Sequence, residues 1–168
     1  MNKPPCSSLL ALALTAAVVL AAECPENGTI TTDSRAVGCA DLRLTVAADN
    51  VALIIEGATG SINVASNAAG ATLHLRDSHV AGNVTLNGPH TVVTVLRSTV
   101  AGVDVVVLSG QRNVTITVID STLAGASVAS VFSSVVGVSI TITNSTFNAS
   151  RHAASVVGVA VSDVTITI

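Results

Sequence analysis

Three charged residues recur at one position of a repeated motif and are the strongest candidates for chemistry. Asp77, Arg97 and Asp120 each close a short alternating apolar run and each precede a serine. If successive copies stack as neighbouring strands about 4.8 Å apart, the two carboxylates lie about 10 Å from each other with Arg97 between them. Carboxylates about 6.5 to 9.5 Å apart carry out inverting hydrolysis of glycosidic bonds. These residues therefore define a candidate catalytic site of a polysaccharide hydrolase or lyase.

A structural role explains the same three residues with fewer requirements. Asp, Asn and Ser at strand ends form turns by hydrogen bonding to their own backbone. Arg97 between Asp77 and Asp120 is then part of an exposed charge ladder of small energetic weight. Polysaccharide enzymes on stacked strands share only a fold with this pattern, and a fold alone does not imply a function. We therefore expect a non-enzymatic protein, with catalysis by Asp77, Asp120 and Arg97 as the alternative.

Other candidate sites have weaker support. His74 and His79 flank Asp77, but they are five residues apart, so on one regular strand they point to opposite faces. The sequence has no phosphate loop and no Cys-x-x-Cys pair, and we predict neither a metal nor a cofactor. Thr-x-Thr pairs at 115–117, 141–143 and 165–167 suggest an outward array that orders water. Threonine is also a favoured strand residue, and the first pair is out of register with the repeat, so we interpret these pairs as ordinary strand surface.

The elements that must position these residues are internal repeats. Four segments align, at residues 73–82, 93–102, 116–125 and 140–149, and a fifth copy begins at Val164. Each reads apolar, His or Thr, apolar, then a polar turn and a second short apolar run, which is the two-residue period of a strand. The shared serine recurs every 20 to 24 residues. The members of this column are Ser78, Ser98, Ser121 and Ser145.

The repeat predicts a right-handed parallel β-helix of about five coils. A unit of this length cannot bury its own inner face, whereas stacked units bury a continuous core. We predict two inward columns: Leu73, Val93, Ile116 and Ile140 in the first, and Leu75, Val95, Val118 and Ile142 in the second. A leucine-rich repeat is disfavoured because its regular Leu positions and fixed Asn are missing. An antiparallel sandwich is disfavoured because no Asn-Gly turn joins two strands of one hairpin.

The N-terminal region has the pattern of a secretory signal peptide. Lys3 precedes fourteen uncharged residues, 9–22, which are too few for a membrane span and end in small residues. We predict cleavage after residue 21 or 22, an N-terminal cap over 23–45, and coils over 46–168 that are cut off at the C-terminus. Cys24 and Cys39 remain after cleavage and can pair in an oxidising compartment.

Five sequons support the same secretory route: Asn27, Asn83, Asn113, Asn144 and Asn148 each begin an Asn-x-Ser/Thr triplet. Nucleic-acid binding is disfavoured by composition. The 168 residues include two Phe, no Trp and no Tyr, and the formal net charge is −3, so stacking platforms and a basic surface are both missing. We expect a secreted or surface-displayed glycoprotein.

Several stretches resemble the trypanosomal dispersed gene family surface proteins. They are the Cys-Pro-Glu-Asn start at 24–27, the motif at 114–125, and the runs at 134–146 and 153–161. The resemblance implies a long glycoprotein with β-helical repeats, held on the parasite surface by membrane helices near its C-terminus. The family has no established catalytic residues, so it assigns no site here. This chain ends without such an anchor, and we expect any membrane link to come from a segment beyond residue 168.

The function expected from these observations is adhesion, or a coat or spacer role, at a parasite surface. The chain reads as secreted and repetitive, and its predicted outward positions are small and polar without a converging titratable cluster. A binding face on stacked coils is spread over several repeats. The expected partners are host-cell or matrix glycoproteins or glycans.

Overall fold

The computed structural model describes residues 24, 27–102, 106–109, 112–127, 130–132, 135–152, 155–157 and 161–168. The predicted signal peptide, 1–22, lies outside the described residues. The described residues form strands and no helix, and none of them belongs to a helix that is long and apolar enough to cross a membrane. The strands are β1 (Asn27–Ile30), β2 (Ser34–Val37), β3 (Ala40–Val46), β4 (Ala52–Glu56), β5 (Thr59–Ser66), β6 (Thr72–Arg76), β7 (His79–Leu86), β8 (Val92–Leu96), β9 (Thr99–Ala101), β10 (Val106–Ser109), β11 (Arg112–Ile119), β12 (Thr122–Ser127), β13 (Ser130–Phe132), β14 (Val135–Thr143), β15 (Thr146–His152), β16 (Ser155–Val157) and β17 (Val161–Thr167).

Two parallel sheets hold these strands. Sheet 1 has the order β2-β4-β6-β8-β11-β14-β17. Sheet 2 has the order β1-β3-β5-β7-β10-β13-β16, with β9, β12 and β15 pairing alongside. Each coil passes through both sheets, and in the later coils two consecutive strands belong to sheet 2: β9 and β10, β12 and β13, and β15 and β16. Each strand pairs in parallel with its equivalent one coil away. The predicted parallel β-helix is confirmed.

The core lies between the two sheets and is built from the predicted columns. Leu73 pairs with Val93, Val93 with Ile116, and Ile116 with Ile140, and all four side chains are buried. The second column is equally regular: its residues are Leu75, Val95, Val118 and Ile142. The alternation of apolar and polar residues within each strand therefore decides which face is buried. A shift of the strand register by one residue would turn every apolar side chain to solvent.

The coils begin earlier than the predicted boundary at residue 46. β2 pairs with β4 and β3 with β5, although both strands lie in the segment that we predicted as a cap. The alternation continues there, since Ala36, Leu42 and Leu44 are buried. The sequence motif is not visible in this coil because Gly38 and Cys39 replace the charged residue and the serine at its corner. Cys39 is buried and forms a disulfide with Cys24, with an S–S distance of 2.08 Å.

Each coil turns at two corners, and both corners use a residue in the left-handed region. The corner after a sheet 1 strand holds Gly38 and Gly57 in the first two coils, and then Asp77, Arg97, Asp120 and Asn144, with φ between 45° and 51° for these four. Asp and Asn tolerate this conformation better than other residues with a Cβ. The corner at the start of the sheet 1 strands includes Asn50 and His90, which precede their strands, and Asn113 and Asp163, which lie in the first residues of β11 and β17. We call the corner after the sheet 1 strands corner 1 and the corner at their start corner 2.

Candidate functional site at the coil corners and the outer face of sheet 1

Corner 1 brings the three candidate catalytic residues into a single column along the helix axis. The backbone N–H groups of Asp77, Arg97 and Asp120 each donate to a carbonyl of the next coil, at 3.0, 3.0 and 3.1 Å. Equivalent backbone bonds fix the three residues at equivalent positions on successive rungs. The sequence therefore placed them correctly relative to one another, with Arg97 between the two aspartates.

The side chains in this column are paired with each other. Arg97 binds Asp77 through two hydrogen bonds, Nε to Oδ1 at 2.6 Å and Nη2 to Oδ2 at 2.7 Å. The hydrogen bond and charge of Arg97 lower the pKa of Asp77, and Asp77 in turn raises the pKa of Arg97. Asp120 accepts a hydrogen bond of 2.7 Å from Asn144 Nδ2. The column is thus two axial pairs, Asp77 with Arg97 and Asp120 with Asn144.

This arrangement is poorly suited to general acid catalysis. A carboxyl that donates a proton near neutral pH needs a raised pKa, usually from an apolar environment. Asp77 has the opposite shift, and both partners of its ion pair are exposed, at 54% for the Arg97 side chain and 42% for that of Asp77. An exposed pair of this kind contributes little to stability. The geometry favours a surface ladder over a reaction centre.

The serine column next to corner 1 has a role that the sequence analysis did not find. Ser121 Oγ donates to Ile119 O at 2.6 Å and accepts the N–H of Ser98 at 3.1 Å. Ser98 Oγ makes the same two bonds, to Leu96 O and from the N–H of Ser78. The hydroxyl satisfies a buried backbone N–H at the point where the left-handed residue interrupts the regular ladder. A serine that recurs directly after a left-handed corner residue is the signal that would have revealed this role.

His74 and His79 are separated by the fold. His74 lies on the outer face of sheet 1, where partial burial and the nearby Arg76 charge lower its pKa. His79 begins β7 in sheet 2, on the other side of corner 1. Within the described residues, no group of three or more His, Cys, Asp or Glu side chains could hold a metal ion.

The outer face of sheet 1 carries an aligned array of hydroxyl side chains. Thr94 pairs with Thr117, Thr117 with Thr141, and Thr141 with Thr167, so four strands contribute to one column. A parallel column holds Thr115, Ser139 and Thr165. The Thr-x-Thr pair at 115–117 is offset by two residues from the pair at 141–143, which keeps both pairs on the same face of the sheet.

The sequon asparagines occupy both corners and sheet 2. Asn113 is exposed at corner 2, and its Nδ2 lies 3.2 Å from His90 Nδ1. Asn144 is exposed at corner 1. Asn148 is exposed in β15 and Asn83 is half-buried in β7. Asn27 lies in β1, also in sheet 2.

Comparisons of the chain with protein-family models, with curated proteins and with solved structures find no match. Three features of the chain itself bear on its function. They are the corner columns, the hydroxyl array on sheet 1 and the positions of the sequons.

Proposed function

We propose that this chain is a non-catalytic segment of a secreted or surface-displayed glycoprotein, with an adhesive or coat role at a parasite surface. The observation that carries the proposal is the hydroxyl array on the outer face of sheet 1. Its two columns run along the coils, so any partner would contact many equivalent side chains rather than one pocket. Host-cell or matrix glycoproteins and glycans suit such a surface because they also present repeated polar groups.

The route to the surface rests on sequence features. The signal-peptide pattern in residues 1–22 and the five sequons support secretion. The Cys24–Cys39 disulfide is of the kind that persists in oxidising compartments. The resemblance to trypanosomal dispersed gene family surface proteins supports the same location.

Binding by the array can be tested with two matched triple variants. Thr94→Glu, Thr117→Glu and Thr141→Glu place three carboxylates in one column of sheet 1. The control places Glu at three threonines in one column of sheet 2, Thr59, Thr99 and Thr122, and leaves every sequon intact. Both variants change the net charge equally. If the array binds, only the sheet 1 variant loses saturable binding to cells or to immobilised matrix glycoproteins, whereas equal loss in both would exclude the array.

The same preparation separates adhesion from catalysis. An enzyme would cleave a member of a panel of uronic-acid and neutral polysaccharides, and Asp120→Asn would abolish the cleavage. The adhesive function predicts binding without cleavage and no effect of that substitution. A folded, secreted protein that neither binds nor cleaves would leave the coat or spacer role.

A further inference from the structure

The sequons are distributed unevenly around the coils. Two of them lie at opposite corners: Asn113 at corner 2, at the start of β11, and Asn144 at corner 1, directly after β14. β11 and β14 are neighbours in sheet 1, and about seven residues of extended strand separate the two corners. At about 3.3 Å per residue, the two asparagines lie about 23 Å apart on either side of the sheet. Both side chains are exposed.

The side-chain contacts of the two asparagines at these corners are compatible with a glycan. Asn144 Nδ2 donates to Asp120 Oδ1, and Asn113 Nδ2 contacts His90 Nδ1. A side-chain amide nitrogen has two hydrogens. Glycosylation replaces one of them and leaves the other for the axial partner. The existing contact can therefore persist and direct the sugar away from the coils.

On sheet 2, Asn148 and Asn83 differ in their surroundings. Asn148 is exposed, and the residues below it in its column are small, Ala124 and Ala101. Asn83 is half-buried and pairs with another asparagine, Asn63. A sugar on Asn83 would have to fit at a half-buried position beside Asn63, whereas a sugar on Asn148 would leave an exposed position beside small residues.

We infer that Asn113, Asn144 and Asn148 carry N-glycans in the folded protein and that Asn83 does not. This inference rests on the proposed secretion of the chain. The outer face of sheet 1 then stays bare, because its outward positions between the two corners include no sequon asparagine, while glycans border it at both corners and stand on sheet 2. The bare face is the one that carries the threonine columns.

The modification itself follows ordinary chemistry. A lipid-pyrophosphate-linked oligosaccharide donates its first sugar to Asn Nδ2. The N–C1 bond forms, the C1–O bond to pyrophosphate breaks, and the lipid pyrophosphate leaves with the bonding pair while the amide loses one proton to the transferase. The transferase acts on extended chain, so several sequons compete as acceptors before the coils stack. Packing then decides which glycosylated chains fold and leave the cell.

Site mapping on the secreted full chain tests the inference. Enzymatic release of N-glycans in H₂¹⁸O converts each glycosylated asparagine to ¹⁸O-labelled aspartate, which mass spectrometry locates. We expect label at Asn113, Asn144 and Asn148 and none at Asn83. Correspondingly, Gln at any of the first three should remove one glycan from the intact mass, and Asn83→Gln should remove none. Labelled Asn83 in folded secreted protein, or unlabelled Asn113 and Asn144, would overturn the inference.

A second expression separates this inference from the proposed function. The full chain is placed behind a signal peptide of the host cell, so that entry into the secretory route no longer depends on residues 1–22. The expected pattern of labelled sites under this signal, together with no secretion under the native one, would reject the proposed localisation and uphold the site assignment. A different pattern under the host signal would reject the site assignment whatever the native signal does.

Discussion

The serine column allows a sharp test because two of its members make the same bonds at different depths. Ser121 is 4% exposed, and its hydroxyl accepts the N–H of Ser98 in a buried bond. Ser145 is half-exposed, and its hydroxyl accepts the N–H of Ser121 at the same 3.1 Å. We predict that Ser121→Ala destabilises the protein markedly and that Ser145→Ala does so only slightly.

The magnitude follows from the groups that lose a partner. In Ser121→Ala the Ile119 carbonyl keeps its bond from the Arg97 N–H, at 3.0 Å. The Ser98 N–H has no such second partner among the bonds described, and a buried unsatisfied donor costs about 1–3 kcal/mol. The space left by one oxygen is too small for a water with two or more partners. At Ser145 water can replace the lost hydroxyl, so the expected cost is below about 1 kcal/mol, since the Thr143 carbonyl also keeps its bond from the Asp120 N–H.

Urea denaturation and hydrogen exchange measure this difference. With a slope of about 1–3 kcal/mol per molar urea, a loss of about 2 kcal/mol lowers the midpoint by about 0.7–2 M. Because stacked coils can unfold in parts, the exchange rate of the Ser98 amide is the more direct readout. It should rise about thirtyfold in Ser121→Ala, the factor that corresponds to about 2 kcal/mol. Equal effects of the two substitutions, or an unchanged Ser98 amide, would refute the assignment of the hydroxyl to this N–H.

Three further predictions concern the core, the ion pair and the disulfide. Val118→Asp places an unpaired charge at a fully buried position and should abolish the strand signal in circular dichroism, whereas Thr117→Asp, on the outward side of the same strand, should leave it. Arg97→Gln should return the pKa of Asp77 towards its ordinary value of 3.8, measured by carboxyl NMR titration; because the folded pKa is lowered, the pair contributes above that pH and its contribution is lost as the pH falls through the lowered pKa. Cys24→Ser opens a loop of 15 residues and should cost about 3 kcal/mol, seen as a lower denaturation midpoint that matches the reduced wild type.

The strand positions could be predicted from the sequence because a single physical demand fixes them. Every second residue of a strand faces the core. Ile116 and Val118 are two such residues, both fully buried, and their alternation with polar residues is visible in the sequence. The first coil escaped the prediction for an equally physical reason. Its corner is made by Gly38, which has no Cβ and so adopts the left-handed conformation without strain. The next residue is Cys39, which forms the disulfide and stands where later coils have serine. The apolar alternation of β3 persists there without the motif, and the next coil, with Gly57 and Ala58 at the same corner, lacks the motif as well.

The corner residues could be placed but their contacts could not be predicted. Spacing put Asp77 and Arg97 on adjacent rungs, but the two hydrogen bonds between them depend on side-chain rotamers that the sequence does not determine. The left-handed conformation of Arg97 was also beyond prediction, because arginine has no preference for it. It follows from the need of each coil to turn at the same place as its neighbours.

The residues at corner 1 and those of the serine column stabilise the coils in different ways, and this difference indicates which side chains are free to serve a function. At corner 1 the backbone N–H makes the structural bond and the side chain is exposed, so Asp77, Arg97 and Asp120 all meet the same demand. At the next residue, the serine, the side-chain hydroxyl accepts a backbone N–H of the neighbouring coil. The hydroxyl is therefore needed wherever that N–H is buried. Variation in charge at corner 1 therefore costs the fold little, and the same holds for outward threonines such as Thr117. The recognition that we propose therefore uses outward columns of this kind, because the inward columns and the serines hold the coils together.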